Sequence, residues 1–161
     1  MTAAADEKAG PSKPREPHEA SAAKPESYSL DAQVGYLLRL ASQRHAAIFQ
    51  DHMIAGLTPT QFALLVRLGE VGEASQNRIG RLAAMDVATA KGVVDRLAAK
   101  GLVTFAPDRE DGRRRVIALS AEGRALLDRA VTCAKAITEA TLEPLNQNER
   151  TMLLSLLRRL G

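Results

Sequence analysis

The sequence predicts a mainly α-helical protein that contains one small β-hairpin. Apolar residues recur at helical spacing through most of the chain after residue 30. Helix start signals, in which Ser, Thr, Asp or Asn precedes an apolar run, separate these segments. Two short runs of β-type residues, 102–106 and 115–119, flank a polar tip that is rich in turn residues.

Composition limits the classes of protein to consider. The chain has 161 residues, of which 45% are hydrophobic, so it is long enough to bury the core of one domain. It has no run of about 18 apolar residues and no apolar segment behind a basic start, which argues against a membrane span and a secretory signal. The single cysteine, Cys133, excludes an intramolecular disulfide framework and a cysteine-built zinc site. We therefore expect a cytoplasmic protein with no cofactor and no metal.

Residues 1–29 are expected to form a disordered N-terminal tail. Four of the seven prolines lie there, and large apolar side chains are almost absent before Tyr28. Such a segment cannot bury enough surface to offset the entropy lost on ordering.

The first helix is expected from about Leu30 to His52. Its apolar stripe consists of Val34, Leu37, Leu38, Ala41, Ile48 and Phe49. Arg44 and His45 interrupt that stripe, and His52 continues it one turn after Ile48. A polar pair within an apolar stripe requires either a structural partner or a ligand.

A second helix is predicted to start at Thr58, with Pro59 in its first position and Gln61 completing a capping box. Its buried face contains Phe62, Leu65, Val66 and Leu68. A short third helix follows from Ser75 to about Ala84, and its inward side chains are expected to be Ile79, Leu82 and Ala83.

A fourth helix is predicted between Asp86, its N-cap, and Gly101, which suits the left-handed position after a helix. The hairpin follows, and Ser120 then starts a long helix that ends near Pro144. Asn146 starts the last helix, whose apolar face contains Met152, Leu153, Leu156, Leu157 and Leu160. The resulting order, α-α-α-α-β-β-α-α, contains a helix-turn-helix followed by a hairpin, which is a winged helix-turn-helix. The helical ends have too little core of their own, and pairing with a second copy would cover their apolar faces.

The basic charge is concentrated in one quarter of the chain. Residues 75–115 contain nine basic and five acidic residues, whereas the N-terminal tail has a net charge of −1. A localised basic patch indicates a polyanionic partner, most commonly nucleic acid.

The outward face of the fourth helix suits a DNA major groove. Small residues occupy its first half, and Gly92 in a helix interior costs about 1 kcal/mol relative to alanine. A glycine there is understandable where another molecule approaches the backbone closely, although a surface helix with an incidental glycine is an equal alternative. Short polar and basic side chains then reach bases or phosphates. The predicted DNA-contacting residues, including those of the hairpin tip, are Ser75, Gln76, Asn77, Ala88, Thr89, Lys91, Gly92, Arg96, Arg109, Arg113, Arg114 and Arg115.

The hairpin tip strengthens the interpretation of a DNA-binding protein. Four arginines crowd it, and a narrow minor groove attracts inserted arginine. We assign Arg109 to the tip, with Asp108 or Asp111 bracing its guanidinium. A solvated run of charges would be the usual explanation, but here the run comes one strand after a groove-sized helix.

These segments resemble the MarR family of bacterial transcription regulators from about residue 30 to the C-terminus. The stretches that carry the resemblance are LTPTQF at 57–62, VDRLAAKGLV at 94–103, DREDGRRR at 108–115 and LSAEG at 119–123. The resemblance implies a homodimer formed by residues 30–52 and 120–161, and a winged helix-turn-helix DNA-binding domain at 53–119. It also implies repression at a pseudo-palindromic operator in double-stranded DNA, relieved when a small effector binds between the dimer helices and the winged domain.

A small anionic effector is expected, because the first helix offers an apolar surface with cationic groups. The candidate effector-binding residues are Arg39, Arg44, His45, His52 and Phe62. The stretches QVGYLLR at 33–39 and QRH at 43–45 are similar to members that control aromatic-acid catabolism, which implies an aromatic acid or its coenzyme A thioester. The alternative is that Arg44 and His45 make structural hydrogen bonds.

Three other functions have less support in the sequence. Cys133 is the basis for a redox-responsive regulator, although unpaired cysteines are most often small buried apolar residues. A winged-helix protein that needs no ligand is a second alternative. An enzyme is not expected, since the chain has no Gly-rich phosphate loop, no His-x-x-x-His pair and no nucleophile motif.

Overall fold

The structure is a computed structural model, and it describes residues 28–108 and 115–161. The elements, after a 3-10 turn at Leu30–Ala32, are α1 (Val34–His52), α2 (Pro59–Val71), β1 (Glu73–Ser75), α3 (Gln76–Leu82), α4 (Val87–Ala99), β2 (Val103–Pro107), β3 (Arg115–Leu119), α5 (Ala121–Leu142) and α6 (Gln147–Leu160). The predicted fold class, mainly helical with a small sheet, is confirmed. The predicted tail lies outside the described residues, apart from its last two positions. Within residues 28–108 and 115–161, no helix combines the length and the hydropathy of a membrane span.

Side-chain caps mark where α2 to α6 begin, whereas Gln33 precedes α1 without a side-chain cap. Thr58 and Gln61 form the predicted capping box at the start of α2, and Asn146 forms another with Glu149 at the start of α6. The Ser120 hydroxyl accepts a hydrogen bond from the Gly123 amide at 2.9 Å. These caps satisfy amide groups that a helix leaves without an internal partner.

The sheet has three antiparallel strands, with β3 between β1 and β2. The predicted order of elements lacked β1, whose three residues are too few to show a β period. Ala74 of β1 and Phe105 of β2 both pair with Ile117 of β3. The predicted first hairpin strand is also displaced by one residue, because the amide of Leu102 donates a hydrogen bond to the carbonyl oxygen of Leu97 at the end of α4, at 3.0 Å.

The core lies where α2, α4 and the start of α5 meet the sheet. Its fully buried members include Leu64, Leu65, Leu68, Ile79, Val93, Val94, Leu97 and Ile117. The prediction that Leu82 turns inward was wrong: its side chain is 39% exposed, because α3 ends at that residue. At Gly123 an added Cβ would overlap the carbonyl oxygen of Leu102, so α5 packs directly against that backbone.

Candidate DNA-binding surface and effector cavity

One face of α4 is buried and the other carries small and charged side chains, as the sequence predicts. Val93, Val94 and Leu97 contribute to the core. The side chains on the opposite face that are exposed or half-buried are Ala88, Thr89, Lys91, Gly92, Asp95, Arg96 and Ala99. This second face is open to solvent over most of its length and can approach another molecule.

The polar groups of α4 are held in place by short-range contacts. The Asp86 carboxylate caps the helix by accepting hydrogen bonds from the Thr89 hydroxyl at 2.6 Å and the Thr89 amide at 2.8 Å. Those hydrogen bonds keep the pKa of Asp86 below its usual range, so this carboxylate is charged at neutral pH. Lys91 pairs with Asp95 at 2.9 Å, and both side chains are exposed. The guanidinium of Arg96 lies beside Gly92, one turn earlier in the helix.

A second polar surface forms where α3 begins next to β3. Ser75, Gln76, Asn77, Arg81 and Arg115 line a depression of about 520 Å³. Four of these residues are predicted DNA contacts, and the structure brings them together across a separation of forty residues in the chain. Arg81 was not among the predicted contacts. Arg81 lies on the exposed side of the short helix α3, in its last turn, and this basic position near residues 75–77 could have indicated a further DNA contact.

The tip of the hairpin lies outside the described residues. This applies to the predicted contacts Arg109, Arg113 and Arg114 and to the predicted brace Asp111. The structure describes both ends of the tip: Asp108 is half-buried after β2, and Arg115 begins β3. The guanidinium carbon of Arg115 lies 4.8 Å from the centre of the Phe105 ring, in a cation–π contact.

A cavity of about 550 Å³ lies between α1, α5 and α6, next to the start of α2. Its lining residues are Leu38, Ala41, Ser42, His45, Ala46, Pro59, Thr138, Thr141, Leu142, Leu153, Leu154 and Leu157. The walls are largely apolar, and polar groups are few. Nδ1 of His45 lies 2.9 Å from the Thr141 hydroxyl oxygen, which joins α1 to α5 at the cavity wall.

Arg44 and Arg39, two of the predicted effector-binding residues, lie outside the cavity lining. The guanidinium of Arg44 donates to the carbonyl oxygens of Thr141 at 2.6 Å and Ala140 at 3.1 Å. It therefore satisfies carbonyl groups near the end of α5. Arg39 donates to the Gln43 side chain at 3.2 Å and lies over the ring of Tyr36.

The remaining predicted effector-binding residues, His52 and Phe62, are also absent from the lining. Nδ1 of His52 donates to the carbonyl oxygen of Ile48 at 2.9 Å, within the last turn of α1. The Phe62 ring makes an edge contact with Phe49, with ring centres 6.3 Å apart. Phe49 lies at the same centre-to-centre distance from His45, so an aromatic contact connects α2 to the cavity histidine. Cys133 is half-buried on α5.

Comparison with known proteins decides the family. A sequence profile of the MarR family matches residues 55–114. The HTH-type transcriptional repressor NicR of Pseudomonas putida is 42% identical over 134 residues, which make up 83% of this chain and 85% of NicR. The chain belongs to the MarR family. It is therefore a transcriptional regulator and not an enzyme.

Two solved structures of similar proteins agree with MarR membership. A probable transcriptional regulator from Pseudomonas aeruginosa is 50% identical, with a TM-score of 0.81 over 83% of this chain and all of that one. The BpsR protein of Bordetella bronchiseptica is 39% identical, with a TM-score of 0.79 over 84% of this chain and 97% of BpsR. The BpsR structure concerns the regulation of its DNA binding by 6-hydroxynicotinic acid.

Proposed function

We propose that the protein is a repressor that binds a pseudo-palindromic operator as a homodimer and is released by a small aromatic carboxylate. The observation that carries this proposal is its similarity, over more than four-fifths of the chain, to the repressor NicR and to BpsR. In BpsR, 6-hydroxynicotinic acid regulates DNA binding.

The exposed face of α4 and the polar depression beside α3 supply the proposed DNA contacts. The small leading half of that face can enter a major groove, and Arg96 can reach the backbone. Arg81 and Arg115 add positive charge beside α3. Arg109, Arg113 and Arg114 are proposed to enter the adjacent minor groove, with Asp108 or Asp111 as a brace. Residues 53–119 would then form the DNA-binding domain.

Exposed apolar faces on the helical ends support the proposed homodimer. The exposed large apolar residues of α1 and α6 are Val34, Leu37, Leu38, Leu40, Met152, Leu154, Leu156, Leu157 and Leu160. Clustered exposed apolar side chains mark interaction sites, and a second copy would cover these symmetrically. Residues 30–52 and 120–161 would thus pair the two subunits. A two-fold axis would then place the two α4 helices in successive major grooves, about 10 bp apart.

The cavity beside His45 is the proposed effector site. An aromatic ring fits its apolar walls, and the His45–Thr141 pair offers hydrogen bonds to a carboxylate or ring substituent. A coenzyme A thioester would also need cations for its phosphates, but no lysine or arginine lines this cavity in the part of the chain that the structure describes. We therefore favour the free acid.

Footprinting the DNA that flanks the coding sequence tests the repressor proposal. We expect a protected inverted repeat, with an affinity that falls by orders of magnitude between low and moderate salt, because bound phosphates release counterions. Arg109→Ala should weaken binding strongly and leave the dimer intact. Arg67→Ala is the control, since Arg67 pairs with Glu70 on α2 and its loss removes the same charge. Absence of any protected repeat, or a monomer that binds the repeat tightly, would contradict the proposal.

Calorimetric titration tests the effector site. The probes are 6-hydroxynicotinic acid, nicotinic acid, 4-hydroxybenzoic acid and a benzoyl thioester of coenzyme A. We expect binding of at least one free acid, and His45→Ala should weaken it. His52→Ala is the matched control, because His52 lies on the same helix but bonds to a carbonyl of its own last turn. No heat from any probe, or equal losses in the two histidine variants, would contradict this site.

A further inference from the structure

The loop between α1 and α2 must absorb any movement of those two helices against each other. Residues 53–58 separate His52, the last residue of α1, from Pro59, the first residue of α2. His45 and Pro59 both line the proposed effector cavity. The cavity walls formed by α1 and α2 are therefore connected by a loop of six residues.

This loop has an uncommon backbone conformation. Ala55 and Gly56 both have a φ of +55°. Glycine adopts this left-handed region readily, but a residue with a Cβ is disfavoured there because the Cβ approaches a carbonyl oxygen. A conformation of this kind persists where its surroundings hold it.

Lys100 supplies part of that support. Its Nζ donates hydrogen bonds to the carbonyl oxygens of Ala55 at 3.3 Å and Gly56 at 3.1 Å. Lys100 is also the C-cap residue of α4, and its amide donates to the carbonyl oxygen of Arg96 at 3.2 Å. One residue thus connects the loop on the effector side to the end of the helix that is proposed to enter DNA.

We propose that Lys100 is a positioning residue that transmits effector binding to α4. When a bound acid shifts α1 against α2, the two loop carbonyls move, and the ammonium group carries that displacement to the end of α4. Without the ammonium, α4 is still held by Val93, Val94 and Leu97 in the core, so the helix keeps its place while the coupling is lost. This inference rests on the proposed function and deepens it by naming the route between the two sites.

The test measures coupling rather than affinity. The Kd for the footprinted operator is determined by fluorescence anisotropy, with and without 6-hydroxynicotinic acid, nicotinic acid or 4-hydroxybenzoic acid. The ratio of the two Kd values cancels the effect of charge loss on DNA binding. We expect a ratio of about fivefold or more in the wild type, which is the usual range of allosteric coupling. In Lys100→Met the ratio of the two Kd values should fall towards one. Lys100→Gln replaces Lys100→Met in this test if the methionine variant does not fold.

Two further variants separate coupling from charge and from folding. Lys100→Arg should keep most of the ratio, because a guanidinium can donate to both carbonyls. Arg67→Met also removes one positive charge, but its guanidinium pairs with Glu70 on α2 and belongs to neither proposed site, so its ratio should equal that of the wild type. If Lys100 had only a structural role, Lys100→Met would lower the melting temperature and leave the ratio of Kd values unchanged. That result would overturn the inference about Lys100 but not the proposed function. A wild type whose operator Kd responds to none of the acids would contradict the proposed function, and the inference would fall with it.

Discussion

Replacing Gly92 with alanine should make the protein more stable and a weaker DNA binder. Gly92 is half-buried inside α4, on the face turned away from the core. The three side-chain atoms nearest to a Cβ at this position belong to the guanidinium of Arg96, at 3.5 Å from Nη1, 3.6 Å from Nη2 and 3.9 Å from Cζ. These are ordinary van der Waals distances to the mobile end of a long side chain. The methyl group therefore fits the protein without strain.

The two effects can be given magnitudes. Alanine in a helix interior is about 1 kcal/mol more favourable than glycine, which corresponds to a rise of about 3 °C in Tm for a chain of this size. A methyl group placed between α4 and a groove floor acts as overpacking, which typically costs about 1–3 kcal/mol. We therefore expect the operator affinity to fall about tenfold, since that factor corresponds to about 1.4 kcal/mol.

Urea unfolding at fixed protein concentration measures the stability, and anisotropy with the footprinted operator measures the affinity. Gly123→Ala is the contrasting variant, because its Cβ would overlap the backbone of Leu102 instead of a flexible side chain. It should destabilise the protein by about 1–3 kcal/mol, because the backbone of Leu102 must move to admit the methyl group. A less stable Gly92→Ala would refute the packing argument, and an unchanged operator affinity would refute the close approach of DNA to α4.

Two predictions concern helix caps. Ser120→Ala should lower the free energy of unfolding by about 1–2 kcal/mol, because the hydroxyl accepts from the Gly123 amide and donates to the Gly101 carbonyl; an unchanged urea midpoint would contradict this. For Asp86, hydrogen bonds from Thr89 lower the folded-state pKa, so its stabilisation is present above the unfolded pKa of about 3.9 and is lost as the pH falls through the folded value. The stability advantage of the wild type over Asp86→Asn should therefore be constant between pH 5 and 7 and shrink below about pH 4. Since asparagine also caps helices, an advantage that stays constant to about pH 2 would contradict the charged carboxylate as its source.

The starts of the capped helices could be predicted from the sequence because they depend on residues three positions apart. The first helix has no side-chain cap, and it begins at Val34 and not at the predicted Leu30. Thr58 with Gln61 and Asn146 with Glu149 form their boxes within one turn of backbone. The strand Glu73–Ser75 could not be predicted in this way. Three residues carry no measurable period, and they form a strand only because β3, which comes forty residues later, lies beside them.

The effector site shows the same limit more clearly. The sequence indicated that Arg44 and His45 need partners within an apolar stripe, but it could not identify those partners. In the structure, Arg44 contacts carbonyl oxygens 96 and 97 residues later in the chain, and His45 contacts the Thr141 side chain. The cation that was expected to bind an anionic ligand is therefore satisfied by the protein, and His45 remains at the cavity wall. Arg44 and His45 are neighbours in the sequence, and only the packing of α1 on α5 determines which of them reaches the cavity.

The cavity and the exposed apolar face share side chains, and this links the two halves of the proposed mechanism. Leu154 and Leu157 line the cavity, yet they are 39% and 42% exposed in the single chain. A second copy that covers α6 would desolvate the same leucines that a bound acid touches. Dimer formation would then complete the cavity, and a ligand that prefers the completed cavity must favour one arrangement of the two subunits. The same arrangement fixes the distance between the two α4 helices, so effector binding and operator spacing are expected to change together.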